Sequence, residues 1–153
     1  MKLRMVNLLI SILNKQYINL NISFSEYMTK IILDTSVLVH CAECKMDFIS
    51  ELDRLFGKYS LFIIDKTIEE LEKLSKSNSK SGIAAKLAKA IIATIKPKQI
   101  HSDKYVDDAI LEEISKDKYF VATNDAELKG KILAKKTSVI VLRQKSHLEI
   151  LES

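Results

Sequence analysis

Residues 31–38 read Ile-Ile-Leu-Asp-Thr-Ser-Val-Leu (IILDTSVL), and the order of residue types within them decides the fold. Three apolar residues form a short unbroken run, the pattern of a strand buried on both faces of a parallel sheet. The run stops on Asp34, and a helical pattern follows at once. A strand that ends on a carboxylate and passes into a helix reads as the first half of a β-α-β unit. The carboxylate then sits beyond the carboxyl end of a strand, where open parallel sheets bind ligands.

The pattern repeats along the chain. LFII at 61–64, YFVAT at 119–123 and SVIVL at 138–142 read as buried strands, and KQIH at 98–101 as a short one. Between them the spacing predicts helices over 36–45, 47–56, 65–74, 83–95, 106–116 and 126–136. Gly57 suits a helix C-cap, Asp65 or Thr67 an N-cap, and Pro97 a stop. SKSNSKSG at 75–82 is a polar loop, and the residues after 142 read as a short tail. This alternation predicts an α/β fold, a three-layer α/β/α sandwich around a central parallel sheet of four or five strands. It forms one domain over residues 30–153. Residues 1–29 are expected to form an N-terminal extension, with the apolar run Met5–Leu13 as a short amphipathic helix. That run is too short to span a membrane, and no small-residue cleavage site follows it. Met28 stands directly before the first strand and is an alternative start.

The 153 residues carry 47% apolar and 29% charged residues, the balance of a globular domain with a sizeable core. Net charge is +4, and between Lys66 and Lys98 eight lysines face three glutamates. Lysine is a hydrated point charge suited to sequence-blind phosphate contact. A solvated surface is the ordinary alternative. The two cysteines, Cys41 and Cys44, lack the further ligands of a structural zinc site and lie in a predicted helix, so they read as reduced thiols of a cytoplasmic protein.

Four acids gather where this fold would bring them together. Asp34 ends the first strand, Glu70 lies one turn after LFII, Asp108 opens DDAILEEI, and Asp125 follows YFVAT. Each has a structural alternative. Asp34 and Asp125 could cap helices, Thr67 and Glu70 fit a capping box, and acids suit a helix start at 107–108. On a helix Asp107 and Asp108 point about 100° apart, so one of them faces the cleft. Asp108, next to Ala109, Ile110 and Leu111, is the expected one. Several carboxylates in one cleft repel unless a cation sits among them, and hard divalent ions take such oxygen ligands. Other chemistries fit poorly. There is no glycine-rich phosphate loop and no G-x-S-x-G turn, and His40, His101 and His147 are scattered. An aspartyl-phosphate site needs an Asp where Ser36 stands. A receiver-like signalling domain wants a lysine directly after the last strand, and Arg143 and Lys145 are poorly placed for that role.

Taken together, IILDTSVL, TIEELEKL, YVDDAILE and VATNDAEL resemble the PIN-domain family of ribonucleases, in family order over about residues 30–145. The ending VIVLRQKSHLEI looks like the archaeal and eukaryotic ribosomal-RNA-processing branch more than the compact toxin branch. The resemblance implies an endoribonuclease that cuts single-stranded RNA with Mg2+ or Mn2+, leaving a 3′-hydroxyl and a 5′-phosphate. Asp34, Glu70, Asp108 and Asp125 would be the catalytic and metal-holding quartet, with Ser36, Thr123 and Asn124 in support. Lys76, Lys80, Lys86 and Lys89 are the expected RNA-backbone contacts. The implied partners are RNA, a second copy in a homodimer, and an antitoxin or RNA-processing protein. A scaffold that binds RNA without turnover is the competing class.

Overall fold

The structure, a computed structural model, describes residues 28–152. The chain enters as β1 (Thr29–Leu33) and passes through α1 (Thr35–Glu43) and α2 (Phe48–Phe56) to β2 (Tyr59–Ile64). It continues as α3 (Asp65–Ser75), α4 (Lys80–Ile95), β3 (Lys98–Ile100), α5 (Val106–Lys116) and β4 (Phe120–Ala122). It closes with α6 (Ala126–Ala134), β5 (Val139–Arg143) and β6 (His147–Leu151). Strand order is β3-β2-β1-β4-β5-β6; the first five strands are parallel, and β6 pairs antiparallel with β5.

Alternation along each strand divides the core into two layers, because successive side chains leave opposite faces of a sheet. Ile31, Leu33, Ile63 and Ile140 meet Val37, Leu52, Leu71, Ala85 and Ala88 from α1 to α4. Ile32, Ile64, Val121, Val139 and Val141 meet Ala109, Ile110, Leu128 and Ile132 from α5 and α6. The three-layer α/β/α sandwich is thus present. From β1 the chain builds outward to β2 and β3, then crosses to β4 on the other side of β1. The crevice beyond β1 and β4 is therefore the topological switch point, the place where such sheets bind ligands. Backbone bonds hold its floor: the Asp34 N–H donates to the Ala122 carbonyl at 3.0 Å, and the Thr123 N–H to that of Ile140 at 3.0 Å.

Three expectations differ from the structure. The five expected strands form the parallel sheet, but the residues after 142, expected as a short tail, fold back and add β6 antiparallel at its edge. The turn places Gln144 and Lys145 at φ of 49° and 57°, and the Ser146 N–H closes it on the Arg143 carbonyl at 3.0 Å. Tight hairpins of this kind are normally announced by Asn or Gly, which are absent here. Tertiary contacts compensate: Leu148 is 1% exposed, its N–H donates to Glu51 Oε2 at 2.9 Å, and its carbonyl accepts from Arg54 Nη2 at 2.8 Å. Next, α4 starts at Lys80 inside the expected loop, capped by the Ser79 hydroxyl accepting from the Gly82 N–H. Lastly, neither Asp65 nor Thr67 caps α3: both lie within that helix, whose N-cap position is Ile64 and carries no side-chain capping bond. The expected helix in the N-terminal extension lies outside the described residues. Among the described residues no helix is long and apolar enough to cross a membrane.

Two glycines give a paired prediction. A Cβ on Gly82 would stand 2.1 Å from the Ser77 carbonyl oxygen, whereas one on Gly130 would meet nothing within 4 Å. Gly82→Ala is expected to destabilise by about 1–3 kcal/mol through overpacking. Gly130→Ala, in exposed helix, is expected to stabilise by about 0.5–1 kcal/mol. Urea midpoints that moved the same way in both variants would contradict this account of the α3–α4 turn.

Candidate active site

Asp34 is 5% exposed and lies directly beyond β1. Burying a carboxylate is costly unless hydrogen bonds support its charge, and here one oxygen takes all of that support. Asp34 Oδ2 accepts from Ser36 Oγ at 2.6 Å, Thr123 Oγ1 at 2.7 Å and, more weakly, the Ser36 N–H at 3.4 Å. The two hydroxyls are themselves held by the strand on the far side of the switch point. Ser36 Oγ accepts from the Asn124 N–H at 2.9 Å, and Thr123 Oγ1 from the Asp125 N–H at 3.1 Å. Among the described residues Asp34 Oδ1 accepts no hydrogen bond.

Glu70 and Asp125 repeat this division of labour. Glu70 Oε2 accepts from Thr35 Oγ1 at 2.6 Å, so the capping box with Thr67 does not form and the side chain reaches across to α1. Thr67 Oγ1 is left buried without a hydrogen-bond partner. Asp125 caps α6 through Oδ1, which accepts from the Leu128 N–H at 2.7 Å. The other oxygen of each, Oε1 and Oδ2, accepts no hydrogen bond among the described residues. Asn124 faces the opposite way. Its amide brackets β5, with Oδ1 accepting from the Leu142 N–H at 2.9 Å, so it fixes the strand rather than meeting Asp34.

The pair at the start of α5 corrects an expectation. Asp107 is half-buried, and burial first, then repulsion from Asp34, Asp125 and Glu70, pushes its pKa up. Asp108 is exposed and lines a groove on the outer face of α5. The reason is helical phase. Val106, Ala109 and Ile110 are buried and set the inner face, and at 100° per residue Asp107 flanks that face while Asp108 lies nearly opposite it. Counting Val106 among the packing residues is the signal that would have found this. Thr35, which holds Glu70, carried no local signal. Lys131, ion-paired with Glu127 at 2.6 Å, is the one cation that lowers the Asp107 pKa.

These acids form an oxygen donor set of the kind hard divalent ions take. Among the described residues no three of His, Cys, Asp or Glu stand close enough together to grip one ion as they are. The free oxygens and the raised Asp107 pKa are the features a bound cation would relieve, so the residues fit such an ion.

The four expected RNA-contact lysines lie elsewhere, on the α3–α4 hairpin. Lys76, Lys80 and Lys86 are exposed, and Lys89 is paired with Glu72. Among the described residues no hydrogen bond or ion pair joins them to the acids. The cysteines are uninvolved: Cys41 is buried, and its thiol is pushed up to about 12 by burial first and then by Cys44.

The chain is similar in sequence and in fold to known proteins. The family model described as PIN like domain matches residues 31–145. Ribonuclease VapC4 of Methanocaldococcus jannaschii is 35% identical over 127 residues, covering 80% of this chain and 97% of that protein. The solved structure of the PIN domain endonuclease Utp24 superposes with a TM-score of 0.69 at 25% identity, over 81% of this chain and 92% of that one.

Proposed function

The chain belongs to the PIN-like domain family, and from that premise we propose that it is a metal-dependent endoribonuclease acting on single-stranded RNA. One observation carries the reading: three carboxylates around the switch point each use one oxygen to fix their orientation and leave the other unbonded, and Asp107 is repelled by all three. The ion, Mg2+ or Mn2+, would be held by Asp34, Asp107 and Asp125, with Glu70 beside it. When bound, it polarises the phosphoryl oxygens and lowers the pKa of water.

The chain's own groups do the positioning. Ser36 and Thr123 lock the Asp34 carboxylate in one rotamer, so its free oxygen is preorganised rather than recruited. Thr35 fixes Glu70, which orients the attacking water and takes up its proton through the unbonded oxygen. Attack in line with the leaving 3′-oxygen gives a 3′-hydroxyl and a 5′-phosphate. The surface lysines Lys76, Lys80 and Lys86 add phosphate contacts further along the strand. The setting is cytoplasmic, and the role is RNA processing, including that of ribosomal RNA.

A second reading, a toxin ribonuclease held by an antitoxin protein, is favoured by the exposed apolar side chains Leu74, Ile83 and Leu87 on α3 and α4, which offer a partner a surface. Growth arrest on expression, relieved by Asp34→Asn, would select it. The direct test is cutting of end-labelled single-stranded RNA with Mn2+, with Mg2+ and with EDTA. Cleavage is expected with either ion and should vanish with EDTA. Folded protein that cut none of several RNAs in Mn2+ would leave an RNA-binding scaffold in its place.

A further inference from the structure

Lys131 is held at the junction of the two helices that start beside the acids. α5 and α6 each return the chain from the carboxyl end of one parallel strand to the start of the next, so they run in the same direction. Lys135 Nζ donates to Ser115 Oγ at 3.3 Å, which turns the 131–135 face of α6 towards α5. Lys131 lies one turn before Lys135 on that face, and Asp107 and Asp108 lie about two turns before Ser115. Helix side chains lean towards the start of their helix. The Lys131 side chain does so, and its Nζ meets Glu127 Oε1 at 2.6 Å. That carries the ammonium one turn further up, to the level of the aspartate pair. Its field accordingly reaches both Asp107 and Asp108.

The ammonium is near these acids without being bonded to them. Among the described residues its one ion pair is with Glu127, and half of the side chain is exposed. It therefore offsets part of the carboxylates' charge from a distance. A divalent ion would bring twice the charge to the same oxygens at closer range, and two cations drawn to one set of carboxylates oppose each other.

We propose that Lys131 is a built-in competitor of the divalent ion: it compensates the carboxylates while the protein is metal-free and raises the ion concentration at which they load. This rests on the metal-dependent reading of the site. It goes beyond that reading in assigning a residue that opposes the ion rather than holding it, and so sets its affinity.

The test is Mn2+ binding measured by titration calorimetry, with no RNA present. Lys131→Met is expected to bind Mn2+ about three- to tenfold more tightly than wild type, the scale of one charge acting through solvent on a divalent ion. The gain should shrink in about 1 M salt, where the Debye length falls to about 3 Å. Lys131→Arg keeps the charge and should stay within about twofold of wild type. Lys135→Met loses the same charge one turn further from the acids and should gain less than about twofold. Breaking the ion pair also frees Glu127, so the substitution is repeated in a Glu127→Gln background, where Lys131→Met should still tighten binding. An unchanged or weaker Kd in Lys131→Met, an equal gain in Lys135→Met, or a gain that disappears with Glu127→Gln would overturn the proposal. Wild type and variants that all failed to bind Mn2+ would remove the metal-dependent reading and the competitor with it. Tighter binding in Lys131→Met of a protein that cut no RNA would retire the nuclease reading and leave the competitor standing. Metal-dependent cutting with an unchanged Kd in Lys131→Met would do the opposite.

Discussion

Asp34→Asn is expected to lower the rate of metal-dependent RNA cleavage by about 10²–10³-fold, the scale for removing one preorganised electrostatic group from a site. The fold should survive the change. Asn keeps one carbonyl oxygen, which can accept from Ser36 Oγ and Thr123 Oγ1 as Asp34 Oδ2 does. Its amide nitrogen then replaces the free Oδ1, putting two N–H donors where a cation would sit. Steady-state rates should collapse while the unfolding free energy measured in urea changes by no more than about 1 kcal/mol, the value of a typical hydrogen bond. A variant that cut RNA at the wild-type rate would show that the unbonded oxygen has no catalytic part.

The second large effect separates two neighbours. Asp107→Asn should reduce cleavage about 10²-fold or more, and Asp108→Asn should leave it within a few-fold of wild type. Asp107 is held above the usual carboxylate range by burial and by Asp34, Asp125 and Glu70 together. Removing its charge relieves that repulsion, so the metal-free Asp107→Asn variant should melt at a slightly higher temperature than wild type. With Mn2+ the order should reverse. A ligand at 100 times its Kd stabilises the folded state by about 2.7 kcal/mol, and the variant, short of one ligand, should gain much less. Differential scanning with and without Mn2+ tests the physical claim apart from any RNA. Equal Mn2+ shifts in wild type and Asp107→Asn, with a reduced shift in Asp108→Asn, would return the role to Asp108.

That neighbouring pair also marks where reading the sequence stops. The buried runs at 31–33, 61–64 and 139–142 were legible because a strand covered on both faces has to be apolar throughout. The positions of Asp34 and Asp125 were legible for a related reason: a charged side chain after such a run has only the rim of the sheet to occupy. Their hydroxyl partners Ser36 and Thr123 stood nearby in sequence, although the 2.7 Å bond between residues 34 and 123 belongs to the fold.

The chain alone thus determined the layered α/β architecture, the strand ends at which acids collect, and the class of chemistry those acids suit. Tertiary structure decided the rest. It set Asp107 near Asp34, Asp125 and Glu70 and left Asp108 exposed, because a helix turns 100° per residue and its phase is set by which side chains reach the core. It joined Thr35 to Glu70 across 35 residues, where a local capping box was the nearest sequence alternative. It folded residues 147–151 into a sixth strand through a turn with two left-handed non-glycine residues, a conformation that costs about 1–2 kcal/mol per residue and persists only when packing elsewhere outweighs it. Local pattern records what each residue prefers; these three outcomes were set by partners far away along the chain.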